Sequence, residues 1–390
     1  MLFYEETSVV FHSLEKNVGI TSMSFYFPRQ YVSLADLLSA RGEKPRKATE
    51  GLGVQRMAIP ANNEDSVSMA ANAIENLGAS KKDIGKLIFA TECGLDSAKD
   101  NASYVHELCD LPQNCEAYDI KAACAAGTYA VWQVIDWILS GRNKGKIGLV
   151  VCSDVAVYEY RKGAEITGGG GAVALLISED PELISFDLET GNYKHNIRDF
   201  WKPLGSEWAL MAENGKLSIK SYLDALIPSF KDYLSKGGKK DFEYLVFHTP
   251  YAKMVCKAFN ALTKFMPEIN EKFELMTSDS LRAPALVGNI YNGALYLALA
   301  SLLELKADSA KGKSVGLYSY GSGSSAKFFR GLITPESNSN FGLFKQLEKM
   351  KKLDPETYEQ FRRKRVVLEE THGFLLKDVD KQEYRRYIQC

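Results

Sequence analysis

The chain has 390 residues, 45% hydrophobic and 25% charged, a composition that excludes general disorder and leaves room for two cores or one large double core. Its 48 lysines and arginines nearly balance 49 aspartates and glutamates, so no global field invites nucleic acid or an anionic membrane, and any anion site is local. The seven cysteines are scattered without a C-x-x-C pair or His/Cys ligand spacing, which excludes a disulfide framework and a structural zinc site and leaves reduced thiols.

In chain order, the N-terminal stretch MLFYEETSVVFHSLEKNVGI lacks a basic leader with an apolar core, and no run reaches the roughly 18 apolar residues of a membrane span; both point to the cytosol. Amphipathic segments follow at Ser66 to Leu77, Thr128 to Leu139, Ile219 to Leu234 and Asn292 to Leu305, alternating with the β-rich runs KLIFAT, KIGLVVCSD, EYLVFHTP and SVGLYSYG. This is an α/β pattern, and the continuous apolar character of the strands predicts sheets covered on both faces. The order KLIFAT then KIGLVVCSD recurs as EYLVFHTP then SVGLYSYG, a faint duplication with a break near Glu179 to Gly191. The expected division is an N-terminal half over 1–180, a C-terminal half over 181–330, and a charged extension over 331–390. That extension, carrying KLDPETYEQFRRKRVVLEE, reads as a solvated helical appendix closed by a short apolar turn.

Several places carry residues able to do chemistry. In DIKAACAAGTYAVWQVIDWIL a short strand ends near Ile120, small residues surround Cys124, and a helix with an apolar stripe begins. The unpaired N–H groups and positive dipole end of such a helix stabilise a thiolate, which predicts a lowered thiol pKa; a packed structural thiol fits the same periodicity. Ala122, Ala123, Ala125, Ala126 and Gly127 leave space for a substrate backbone or pantetheine arm. Glu92 follows KLIFAT at the carboxyl end of a buried strand, where α/β sheets place ligands and burial tunes a carboxylate for acid/base work; an idle strand-end glutamate is the alternative. His248, in YLVFHTPYAKM, reads either as a base or oxyanion donor facing a cleft, or as a satisfied core imidazole. His12, His106, His195 and His372 have no partner pattern and read as surface residues. The glycine-rich stretches TGGGGAVALLI, VGNIYNGALY and YSYGSGSSAKFF match neither a P-loop nor a dinucleotide fingerprint, and remain tight turns or backbone donors for an oxyanion.

Taken together, A-T-E-x-G at Glu92, I-K-x-A-C at Cys124, F-H-T-P-Y-x-K-M at His248, G-N-I-Y at Asn289 and S-Y-G-S-G at Ser322 resemble, in order and spacing, the 3-hydroxy-3-methylglutaryl-CoA (HMG-CoA) synthase family. The likeness runs from about Gly19 to Arg330, with more in DFWKP, GKLSIKSYL and the tail. The resemblance implies a thiolase fold, two similar α/β halves in a five-layered αβαβα arrangement with a C-terminal helical appendix, usually a homodimer, with the active site between the halves. It implies a cytoplasmic acyltransferase that condenses acetyl-CoA with acetoacetyl-CoA through an acetyl-cysteine, with no metal and no cofactor beyond the CoA thioesters. By analogy its product feeds mevalonate and isoprenoid production.

Residue by residue, the same resemblance implies that Cys124 is acetylated, Glu92 shuttles the protons of condensation, and His248, with Asn289 beside it, holds and polarises acetoacetyl-CoA. Backbone N–H groups of Cys124 and Ser322 form the oxyanion hole, while Asp154, Tyr158 and Asp199 support acetyl transfer and enolisation. Lys253 and Lys257 follow the histidine at four-residue spacing, and either meet CoA phosphates from one helix face or stand solvated. Two departures bear on acyl specificity: Ala125 stands where the family commonly has tyrosine, and LMAENGKLS replaces the usual V-D-G before the lysine-rich turn. Three rivals remain. One is a relative that takes acetyl from an acyl carrier protein to build polyketide β-branches. Another is a decarboxylating ketosynthase, from which Glu92 discriminates because decarboxylation needs no carboxylate base. The last is a catalytically silent acyl-CoA-binding homologue, with Ala125 as the mark of decay.

Overall fold

The computed structural model describes residues 17–390, so His12 and most of the N-terminal stretch read above lie outside the described residues. One nine-stranded sheet holds β1 (Val18–Tyr26), β2 (Ile84–Ala90), β3 (Glu116–Ile120), β4 (Ile147–Val155), β5 (Gly170–Glu179), β6 (Ile184–Lys194), β7 (Tyr244–Phe247), β8 (Ser314–Gly321) and β9 (Ser325–Ile333), of which β2, β4, β7 and β8 are the four β-rich runs read above. The helices are α1 (Ser66–Glu75), α2 (Asn101–Leu108), α3 (Ala126–Leu139), α4 (Lys216–Ser235), α5 (Ala252–Leu262) and α6 (Ala294–Lys306), of which α1, α3, α4 and α6 are the amphipathic segments read above; α7 (Pro355–Arg362) follows the sheet. Among the described residues no helix is long and apolar enough to cross a membrane.

Strand order across the sheet is β7-β8-β9-β6-β1-β5-β4-β2-β3. On one side β2 runs parallel to β3 and β4, β4 antiparallel to β5, and β5 antiparallel to β1. On the other, β7 runs parallel to β8, β8 antiparallel to β9, and β9 antiparallel to β6. The quartets β2, β4, β5, β1 and β7, β8, β9, β6 therefore share one pairing pattern, which is the recurrence seen in the sequence. They touch where Gly19 and Ile20 meet Ser185 and Ile184.

Layering follows from which face of each strand is covered. In β2, Ile88 and Ala90 point to the central layer while Leu87 and Phe89 point outward to α1 and α2; in β7, Val246 points inward and Leu245 and Phe247 meet α4 and α5. Both faces of each quartet are thus apolar, which explains the unbroken hydrophobic runs. Helices α3 and α6 fill the centre, buried nearly all round because sheet lies on both sides of them. The order α1/α2, sheet, α3/α6, sheet, α4/α5 is the five-layered thiolase arrangement that the resemblance implies. An aspartate cap starts the outer layer cleanly: Asp65 accepts from Val67 and Ser68 N, and Ser68 Oγ bonds back to Asp65 N.

The C-terminal extension departs from the expected solvated appendix. Its helix α7 is two turns long and buries Tyr358, 1% exposed, and a hairpin of Phe374–Val379 with Arg385–Gln389 follows it. Asn72 on α1 fixes that hairpin by exchanging two hydrogen bonds with the Phe374 backbone, at 2.8 and 2.9 Å. Charge density in RRKR hid one apolar stripe, Tyr358 with Phe361, that packs on the body.

The central layer should carry much of the stability. Leu297→Ala, at a fully buried position of α6, is expected to lower unfolding free energy by about 2–5 kcal/mol in urea titrations. Leu204→Ala, at a position 88% exposed, should change it by less than about 0.5 kcal/mol.

Candidate active site

The duplication delivers functional side chains in pairs. Glu92 follows β2 and His248 follows β7, so each leaves the carboxyl end of the equivalent strand. Cys124 precedes α3 and Asn289 precedes α6, the two helices of the central layer. The loops after β4 and β8 supply the remaining pieces, Tyr158 and Ser322.

Cys124 sits in a turn whose Ala123 has φ +48°, a conformation that small neighbours make affordable, and it is 8% exposed. Its Sγ donates to Glu92 Oε1 at 2.9 Å. Glu92 is half-buried and is not itself among the residues that line the cavity described below, but its carboxyl reaches it through Cys124, and burial, helped by the charge of Asp154, holds that carboxyl up at about 8. Burial likewise pushes the Cys124 thiol well above its ordinary value, with the negative charges of Glu92, Asp154 and Asp199 adding to it. The expectation of a thiol lowered by the helix N-terminus is therefore corrected. The dipole end amounts to about half a charge, and it is outweighed by desolvation and three carboxylates.

Asp154 and Asp199 hold loops and do not line the cavity. Asp154 Oδ1 accepts from Thr91 Oγ1 at 2.7 Å, Glu92 N at 2.8 Å and Cys93 N at 3.2 Å, and Oδ2 accepts from Asn292 Nδ2, so one buried carboxylate fixes the turn that presents Glu92. Burial raises it to about 6. Asp199 accepts from Gly323 N at 2.9 Å and from Tyr320 OH at 3.0 Å, fixing the loop that carries Ser322. That loop reaches the nucleophile turn because Gly321 has no side chain; a Cβ there would lie 2.6 Å from Ala122 O and 2.7 Å from Ala125 N. Ala125 packs under this contact, 1% exposed, and is not part of the cavity wall.

His248 is 2% exposed, its N–H and C=O taken by Tyr318 O and Tyr222 OH, and its Nδ1 has no partner among the described residues. Burial lowers the imidazole to about 3, so it is neutral at physiological pH. Asn289 is reached through Gly288 at φ +85°, whose absent side chain admits Gly168 O at 2.2 Å from the Cβ position. Its Oδ1 accepts from Tyr291 N at 2.9 Å and its Nδ2 faces Tyr158 OH at 3.4 Å.

Cys124, His248, Asn289, Tyr158 and Ser322 line one cavity of about 290 Å³ between the two halves. Tyr158, Phe200 and Tyr291 form an edge-to-face box in its wall beside Cys124, with centroids 5.9 to 6.3 Å apart. Lys253 and Lys257 are exposed on α5, outside the cavity, on a helix whose first turn lends Met254 to the wall. Neither lysine forms an ion pair among the described residues. His195 and His372 are exposed as expected, whereas His106 is partly buried, its Nε2 2.9 Å from Pro112 O. No group of three His, Cys, Asp or Glu side chains among the described residues is placed to hold a metal ion. Sequence reasoning missed Asn292, Thr91 and Tyr291; an amide opening an otherwise apolar helix, as in IYNGALYLAL, was the available signal.

The charge of Glu92 raises the Cys124 thiol, so removing it should do the reverse. Iodoacetamide alkylation of Cys124 is expected to be faster in Glu92→Gln than in the parent at neutral pH, with its pH midpoint displaced downward. An unmoved midpoint would contradict the coupling.

Two family descriptions match nearly the whole chain: hydroxymethylglutaryl-coenzyme A synthase N terminal over residues 14–182, and C terminal over 184–265 and 260–382. Hydroxymethylglutaryl-CoA synthase of Enterococcus faecalis is 33% identical over 319 residues, 80% of this chain and 82% of that protein. The polyketide biosynthesis 3-hydroxy-3-methylglutaryl-ACP synthase PksG of Bacillus subtilis is 30% identical, covering 88% and 87%. Among solved structures, MvaS in complex with 3-hydroxy-3-methylglutaryl coenzyme A superposes with TM-score 0.90 at 32% identity, covering 96% of this chain and 100% of that one. The Curacin biosynthetic pathway HMG synthase gives 0.88 at 28%, with the same coverage. With both family descriptions matched, and a thiol, an imidazole and an amide gathered at one cavity with a carboxyl hydrogen-bonded to the thiol, the chain belongs to the hydroxymethylglutaryl-CoA synthase family of acyl-condensing enzymes.

Proposed function

We propose that this chain condenses acetyl-CoA with acetoacetyl-CoA to HMG-CoA, using Cys124 as nucleophile and Glu92 as the acid/base. The observation that carries the reading is the Cys124–Glu92 hydrogen bond at a cavity that His248 and Asn289 share. In the first step Cys124 attacks the acetyl carbonyl while its proton passes to Glu92 and on to the departing CoA thiolate, leaving acetyl-Cys124. N–H groups of Cys124 and Ser322 are the donors assigned to the acetyl oxygen, on loops that the Gly321 contact brings together. Glu92 then removes a methyl proton, and the enolate carbon attacks C3 of acetoacetyl-CoA. The C3 oxygen, held by neutral His248 and the Asn289 amide, takes the proton back from Glu92. Water cleaves the thioester to Cys124, which releases HMG-CoA and restores the thiol. Tyr158 packs beside the acyl sulfur, and Asp154 and Asp199 act through the loops they hold.

Lys253 and Lys257 are assigned to CoA phosphates, as unpaired cations beside the wall. A homodimer working in the cytoplasm belongs to the same reading, on the family likeness alone. The second reading, an acyl carrier protein as acetyl source, draws on the PksG relative named as an ACP synthase and on the Curacin enzyme solved in complex with holo donor-ACP. A silent binder loses its motive, since Ala125 leaves the Cys124–Glu92 pair intact.

A CoA-release assay should show turnover with acetyl-CoA plus acetoacetyl-CoA and an acetyl adduct on the Cys124 peptide by mass spectrometry. Activity confined to acetyl carrier protein would select the second reading. Glu92 is a base only when ionised, so the rate is expected to rise with pH through about 8, while His248, neutral above about 3, adds no limb near neutrality. Glu92→Ala should lose that limb and at least about a hundredfold in rate. Lys253→Ala with Lys257→Ala should raise KM for the CoA thioesters several-fold, on the order expected for lost ground-state binding, and leave kcat near its parent value.

A further inference from the structure

Residues 156–169 link β4 to β5 and contribute Tyr158, Gly163, Ala164 and Thr167 to the cavity wall. Apart from one turn at Glu165–Thr167 and a bridge of Tyr158 to Ala209 this link has little regular structure; its backbone is tied at the ends, Ala156 N to Gly169 O and Asn289 N to Thr167 O, each at 2.8 Å, and side chains hold it in between. Glu165 does so from inside the protein. Its carboxylate accepts from Arg41 Nη1 at 2.9 Å and Nη2 at 3.1 Å, from Tyr358 OH at 2.9 Å and from Arg161 N at 2.8 Å. Arg362, at the end of α7, does so from the C-terminal extension. Its Nη2 donates to Tyr158 O at 2.7 Å, and its Nη1 donates to Tyr358 OH at 3.2 Å and lies 3.7 Å from Glu165 Oε1. Inside the cavity, the hydroxyl of the same Tyr158 faces Asn289 Nδ2, and its ring packs with Cys124.

We propose that Arg362 is a positioning residue of the acyl-transfer cavity: its planar guanidinium holds the Tyr158 backbone against Glu165 and Tyr358, and thereby sets where the Tyr158 ring and hydroxyl stand relative to Cys124 and Asn289. The C-terminal extension is then a structural partner of the reaction. Only a fork of donors reaches a carbonyl, a phenol and a carboxylate at once, and a lysine ammonium is a single point with no such plane. Without the guanidinium the Tyr158 carbonyl loses its charged donor, and the nearest remaining backbone tie is the bond from Ala209 N to Val157 O at 3.3 Å.

The test compares Arg362→Ala, Arg362→Lys and the exposed neighbour Arg365→Ala with the parent in acetylation of Cys124 and in condensation, with thermal melting alongside. We expect kcat of Arg362→Ala to fall about tenfold or more, the scale of a misplaced reacting geometry. Melting should change little, Arg362→Lys should recover little, and millimolar methylguanidinium should restore Arg362→Ala alone. Parent-like kinetics in Arg362→Ala overturns the proposal, as does a loss that follows melting and ignores methylguanidinium. The kinetic arm rests on the proposed condensation. A parent protein inactive with every acyl donor counts against that reaction, and a crystal structure of Arg362→Ala then decides this residue by itself: a displaced Tyr158 supports the proposal, and an unmoved one overturns it.

Discussion

A thiol and a carboxyl group 2.9 Å apart inside a protein cannot both be ionised, because each negative charge is poorly solvated and repels the other. Cys124 and Glu92 therefore hold a proton between them, and what that proton does decides what the site is able to do. When the thiol attacks an acyl group, the carboxylate is already in place to receive its proton. Once the sulfur is acylated the thiol proton is gone, and the same carboxylate faces the acyl methyl as a base. In the proposed condensation one enclosed pair would thus serve both halves, with no second titrating group needed near neutrality, since His248 stays uncharged.

Holding the pair demands structure on every side. Asp154 gathers Thr91, Glu92 and Cys93 around one carboxylate oxygen, and the missing side chain of Gly321 lets the Ser322 loop close on the nucleophile turn. These devices come from equivalent ends of two quartets of strands, so the duplication of the fold is what brings chemistry from residue 92 to residue 322 into one cavity. Asp199 and Asp154 resemble each other in this respect. Each spends its charge on backbone N–H groups of a loop, and each is felt at Cys124 as added negative potential.

Much of this was legible in the residues. Apolar runs with both faces covered announced layered sheets, and strand ends at Glu92 and Phe247 announced the positions of a carboxylate and an imidazole. The thiolate expectation failed because a helix dipole is visible in sequence, whereas the carboxylates that outweigh it come from positions 92, 154 and 199, adjacent only once folded. Ala125 is a related case: its place next to the nucleophile suggests contact with substrate, yet after the turn at Ala123 it packs against Gly321. The C-terminal helix was misread because charged residues dominate the segment around it, while Tyr358 and Phe361 pack on the body and Arg362, first of the RRKR run, bonds to Tyr358. Asn292 was hidden by surroundings so apolar that an amide looked like an interruption of the helix.

The central claim concerns the proton on Glu92, and a pH titration of the protein carrying ¹³C-labelled glutamate carboxyls measures it directly, with the Glu92 resonance identified by its loss in Glu92→Gln. The account predicts a midpoint of about 8 in the unacylated protein. A midpoint in the ordinary carboxylate range, near 4.5, would mean that the carboxyl is solvated and independent of the thiol, and would contradict it.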